Sequence, residues 1–165
     1  MTAGKPSQRW ALSLALFGLV LALAACGPRP PRYGEIAAQV PPVRPDLARL
    51  YIYRDYEPYE SLSRPYLYLN GGRIGISEPG GVLYRDVPPG SYLISVDSFG
   101  IYPNQFKTVQ MSAGGTYYAK ITSLKSWASD GDLMRDFGTD TFVVVLVDPA
   151  QAQREIPTMW FFGGP

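Results

Sequence analysis

Ala48-Arg49-Leu50-Tyr51-Ile52-Tyr53-Arg54 puts Leu50 and Ile52 on one side of an extended chain and Arg49, Tyr51 and Tyr53 on the other. A period of two marks a half-buried strand, with the aliphatic side toward the core. Tyr66-Leu67-Tyr68-Leu69 repeats the pattern and runs into Asn70-Gly71-Gly72, a hairpin signal because these residues accept positive φ. Arg73 to Ile76 is the predicted return strand. Turns at Glu78-Pro79-Gly80-Gly81 and Pro88-Pro89-Gly90 introduce strands from Val82 to Asp86 and from Tyr92 to Asp97, the latter with Tyr92, Ile94 and Val96 on one face. These four strands are expected to form one meander.

The second half has the same grammar. Phe106 to Met111 and Thr116 to Ser123 are predicted strands around a turn at Ser112-Ala113-Gly114-Gly115, with Tyr117, Ala119 and Ile121 inward. Thr141 to Asp148 is a continuous β-branched run, the pattern of a strand buried on both faces. Pro149 to Arg154 reads as a short helical turn with proline at its first position, followed by an extended aromatic tail. Seven or eight short strands at near-regular spacing predict an all-β fold, a small antiparallel β-sandwich over residues 46–165. Its core is expected from Leu50, Ile52, Leu67, Leu69, Ile94, Val96, Ile121 and Val144. Arg49, Arg73 and Arg85 are expected on polar strand faces.

Residues 1–25 read as an export signal. Lys5 and Arg9 precede an apolar run from Trp10 to Ala25, and no acidic residue occurs before Glu35. The run is shorter than the ~18 residues of a spanning helix. It ends in Leu23-Ala24-Ala25-Cys26-Gly27, which resembles the lipobox of bacterial lipoproteins, so Cys26 is the expected lipidation site and first mature residue. Cys26 is the only cysteine, which excludes an internal disulfide. Gly27 follows it, where enterobacterial retention at the inner membrane commonly uses aspartate; the expected location is therefore the periplasmic face of the outer membrane. Prolines at 28, 30, 31, 41, 42 and 45 make residues 26–45 a predicted semi-rigid tether.

Five stretches in order, "ARLYIYRD" (48–55), "YLYLNGGRIG" (66–75), "YRDVPPGSYLISV" (84–96), "AGGTYYAKI" (113–121) and "FVVVLVDPAQAQREI" (142–156), carry a resemblance. They are similar to a bacterial family of unknown function, made of small envelope lipoproteins and related to carboxypeptidase-regulatory, transthyretin-like sandwiches. The resemblance implies fold and location rather than an activity.

Composition narrows the chemistry. The chain has no histidine and its one cysteine is assigned to lipid, which removes Ser-His-Asp, Cys-His and His-based zinc sites. Lys107, Lys120 and Lys125 have no motif partner for a Ser-Lys dyad. Asp130, Asp132, Asp136 and Asp140 form an acidic loop without EF-hand spacing, so no metal and no cofactor are expected. Removing Lys5 and Arg9 from 15 basic residues leaves the mature chain nearly neutral against 14 acidic ones, so nucleic acid is not an expected partner. The expected role is a non-catalytic interaction or structural module, bound to the membrane through the lipid on Cys26 and to an envelope protein or peptidoglycan; the alternative is a small envelope hydrolase using carboxylates or a serine. Tyr51, Tyr53, Tyr66 and Tyr68, each alternating with core residues, are the candidate interaction surface on one shared outer face. The competing expectation is that a loop or the Met159-Trp160-Phe161-Phe162 tail covers them as a second core.

Overall fold

The structure, a computed structural model, describes residues 29–56, 62–98, 106–123 and 141–164. Nine strands are found among them: β1 (Ala48–Arg54), β2 (Tyr66–Leu69), β3 (Gly72–Ile76), β4 (Gly81–Val87), β5 (Gly90–Val96), β6 (Phe106–Met111), β7 (Thr116–Ser123), β8 (Phe142–Leu146) and β9 (Trp160–Phe161). Two short helices accompany them, α1 (Tyr33–Ile36) and α2 (Pro149–Glu155). The strands form two sheets, ordered β8-β7-β1-β4-β9 and β3-β2-β5-β6. The all-β sandwich expected from the alternating pattern is present.

Between the sheets lies one aliphatic core, to which every predicted core residue contributes: Leu50 and Ile52 of β1, Leu67 and Leu69 of β2, Ile94 and Val96 of β5, Ile121 of β7 and Val144 of β8. Ala48, Leu83, Val109, Met111, Ala119 and Phe142 complete it. The β2–β3 hairpin turns at Asn70 (φ 50°) and Gly71 (φ 79°), the left-handed pair that a two-residue hairpin requires. Asn70 also fixes the next strand, its Oδ1 accepting from Leu93 N at 2.8 Å.

Three expectations are corrected. The four strands after Tyr66 are not one meander, because β4 leaves for the other sheet and pairs antiparallel with β1. The larger sheet is mixed rather than antiparallel, since β7 runs parallel to β1 and β9 parallel to β4. β8 is an edge strand with Val145 and Leu146 exposed, not a strand buried on both faces. The doubly buried strand is β1, all seven of whose residues are buried.

Burial of the polar side of β1 changes the reading of Arg49. It is 4% exposed, and its guanidinium makes paired 2.7 Å bonds from Nε and Nη2 to the two Asp86 oxygens, while Nη1 donates to Pro41 O at 2.7 Å. It also lies 4.1 Å over the Tyr84 ring. Arg85, likewise expected on a polar face, is partly buried; it donates to the carbonyls of Ile74, Tyr84 and Gly164 and so ties β3 and the C-terminal tail to β4. Arg73 is exposed as expected.

The tether is corrected too. From Pro31 onward the segment is fastened to the sandwich: Tyr33 N donates to Met159 O and Phe161 N to Pro31 O, both at 2.8 Å, and Arg32 forms an antiparallel bridge with Trp160. Proline leaves few donors, but those of Tyr33 and Phe161 suffice for strand-like docking.

Removing one partner of a desolvated ion pair leaves an unmatched buried charge. Asp86→Asn is therefore expected to cost about 3–5 kcal/mol in denaturant unfolding, with most of that loss recovered by Arg49→Met combined with Asp86→Leu. A cost below about 1 kcal/mol for Asp86→Asn would assign the pair to solvent.

Candidate functional site

The outer face of the larger sheet is aromatic. Tyr51 of β1, Val82 and Tyr84 of β4 and Tyr118 of β7 point away from the aliphatic core, because their neighbours Leu50, Ile52, Leu83 and Ala119 point into it. Tyr51 stacks on Tyr118 (centroids 5.5 Å apart, 12° between planes) and lies 5.6 Å from both Tyr33 and Tyr84. Phe161 stacks on Tyr84 at 6.0 Å. The Tyr33 and Tyr51 hydroxyls are 2.6 Å apart, and burial together with this hydrogen bond pushes the Tyr33 phenol up. Ala152 of α2, Ile156 and Met159 close this second core.

Beside the aromatic layer, Lys120 of β7 is held between Asp55 and Glu155, the latter at 3.1 Å. Glu155 also accepts from the Tyr53 hydroxyl at 2.7 Å and from Gln151 Nε2 at 2.9 Å. Burial acts to lower the Lys120 pKa, but its bonds to Asp55 and Glu155 outweigh burial and the net shift is upward. A lysine that serves as a base needs the opposite shift. Burial and then Glu155 push the Tyr53 phenol up as well.

The four tyrosines of the expected surface are not brought together. β1 and β2 belong to different sheets whose aliphatic sides face each other, so the two pairs point in opposite directions. Tyr51 and Tyr53 are 7% and 1% exposed, covered by α1, α2 and the tail. Tyr66 and Tyr68 lie on the outer face of the smaller sheet, where Tyr66 is partly exposed beneath the Arg73 guanidinium (4.4 Å) and the Tyr68 hydroxyl donates to Asp97 at 3.2 Å. Leu93 of β5 and Phe106 of β6 are exposed in the smaller sheet. Cys26, Lys125 and the acidic residues Asp130, Asp132, Asp136 and Asp140 lie outside the described residues. Among the described residues no group of His, Cys, Asp and Glu is placed to hold a metal ion, and no helix is long and apolar enough to cross a membrane.

A family model described as "Protein of unknown function (DUF2846)" matches residues 44–132, more than half of the chain. The chain belongs to the DUF2846 family. No curated protein matches it. The DUF2846 match begins at Arg44 and covers β1 to β7; α1, β8, α2 and β9 lie outside the matched span. The resemblance drawn from the strand motifs is thus met as membership of an uncharacterised family.

Sequence reasoning missed Tyr33, Tyr84, Tyr118 and the Arg49–Asp86 pair. The parity of Val82 and Tyr84 around Leu83 carried the signal for one of them. Nothing in the Pro-rich stretch marked Tyr33 as a contact of Tyr51.

Burial acts to raise the Glu155 pKa, but its bonds from Gln151, Tyr53 and Lys120 outweigh burial and hold it below the ordinary glutamate value. A depressed folded pKa contributes stability that is complete above the unfolded value, about 4.3, and is lost as the pH falls through the folded one. Glu155→Gln is expected to lower stability at pH 7 and to flatten the acid limb below about pH 4.3 in urea titrations. An unchanged acid limb would remove Glu155 from the linkage.

Proposed function

We propose that this DUF2846 protein is a lipid-anchored, non-catalytic interaction module of the bacterial cell envelope, held at the periplasmic face of the outer membrane by acylated Cys26. The observation that carries this reading is the run from Trp10 to Ala25 closing on Ala24-Ala25-Cys26-Gly27 after a basic start. Two or more acyl chains, at ~0.8 kcal/mol per buried methylene, anchor durably. The two-sheet core supports kinship with the carboxypeptidase-regulatory, transthyretin-like sandwiches. The partner-facing side is the outer surface of the smaller sheet, where Tyr66, Leu93 and Phe106 are exposed.

In cells fed labelled palmitate, the wild-type chain is expected to take up label and fractionate with membranes, and Cys26→Ser to do neither. A photo-crosslinking residue in place of Phe106 is expected to capture one discrete envelope component. Label entering Cys26→Ser would refute the anchor, and reproducible turnover of peptidoglycan fragments or generic esters by the purified protein would refute the non-catalytic reading.

A further inference from the structure

The docking of Pro31 onto β9 fixes how far the domain stands from its anchor. Cys26 and Pro31 are five residue steps apart, at most about 18 Å fully extended. The chain is fastened at Pro31 by the bond from Phe161 N and at Arg32 by its bridge to Trp160. If Cys26 carries the lipid, as proposed above and as this inference requires, the β9 edge lies within that distance of the bilayer surface. A free spacer reaching to Pro45 would have allowed a far greater distance; this short lead brings the β9 edge within reach of the interface.

The side chains gathered at that edge are of interfacial type. Trp160 is partly exposed, Phe162 is 43% and Tyr56 66% exposed. They cluster over the Gly80–Gly81 turn, where a Cβ on Gly80 would come within 3.0 Å of Tyr56 Cβ and one on Gly81 within 2.9 Å of the Phe162 ring. Phe161, between Trp160 and Phe162, points the other way onto Tyr84. The Arg32 guanidinium lies 3.7 Å above the Trp160 ring, and Arg29 is exposed at the same entry point. Among the described residues, Glu35 accepts from Arg32 N and Glu78 pairs with Arg64. Amphipathic rings beside arginine side chains are what the head-group region of a bilayer accommodates.

We infer that the rim formed by Trp160, Phe162, Tyr56 and Arg32 rests on the bilayer interface, a second contact beside the lipid that sets the orientation of the domain. β6 and β8 lie together at the opposite lateral edge, because the β3 side of the smaller sheet packs over β4. The outer surface of the smaller sheet then stands clear of lipid.

Trp127→Phe leaves Trp160 as the sole indole of the mature chain. The lipidated protein, with acylation of Cys26 verified by mass, is placed in phosphatidylethanolamine/phosphatidylglycerol vesicles containing lipids brominated near the head-group end of their chains. Trp160 emission is expected to fall by about twofold or more, as for an interfacial ring, and to shift to the blue. A second reporter, Phe106→Trp with Trp127→Phe and Trp160→Phe, is expected to be unaffected on the opposite edge. Vesicle-bound, acylated protein with unquenched Trp160, or equal quenching of both reporters, overturns the inference. Trp160 shielded in cells yet unquenched by lipid would assign the rim to a protein instead. Mature protein without acyl mass on Cys26 would overturn the anchor itself, and with it the reach argument.

Discussion

β1 is buried on both faces, and the rest of the molecule is arranged around that constraint. One side carries Ala48, Leu50 and Ile52 and meets the second sheet, with buried Arg54 at its end over Phe142. The other carries Arg49, Tyr51 and Tyr53, whose polar atoms must be matched where water is excluded. Asp86 answers Arg49, Tyr33 answers Tyr51, and Glu155 answers Tyr53. None of these partners is on β1 or adjacent to it in sequence; they come from β4, from the N-terminal segment and from the end of α2. Covering the second face therefore draws the ends of the described chain together across one sheet.

That arrangement makes the two outer faces unlike. The larger sheet uses its outer face internally, under α1, α2 and residues 156–159, with clefts of about 150 and 370 Å³ beside the N-terminal segment. On the smaller sheet, Leu93 and Phe106 are exposed among the described residues. Exposed aromatic and aliphatic side chains are on that sheet, the side assigned above to the proposed partner. The closed face in turn fixes the N-terminal segment from Pro31 onward, which under the proposed anchoring links packing to orientation.

Much of the fold was legible because alternation reports burial directly. The hairpin at Asn70-Gly71, the inward sets of β1, β2, β5 and β7, and the helix opening at Pro149 followed from local signals. Pairing partners did not. The period-two pattern of β4 is the same in either sheet, and a parallel neighbour such as β7 leaves no mark on β1. The apolar run of β8 misled because its exposed residues, Val145 and Leu146, are as apolar as its buried ones. The tyrosines misled for a related reason: an amphipathic ring satisfies an open face and a second core equally well, and only long-range cover decides. The Pro-rich segment was read as a spacer because its docking rests on two backbone donors that composition does not reveal.

The central claim is that the N-terminal segment is part of the folded body. Amide hydrogen exchange reads it at two positions, Tyr33 N, bonded to Met159 O, and Phe161 N, bonded to Pro31 O. The account predicts that both exchange at least about a hundredfold more slowly than in an unstructured peptide, a protection of roughly 2.7 kcal/mol or more. Exchange of both at unstructured rates, with the amides of β1 still protected, would contradict it.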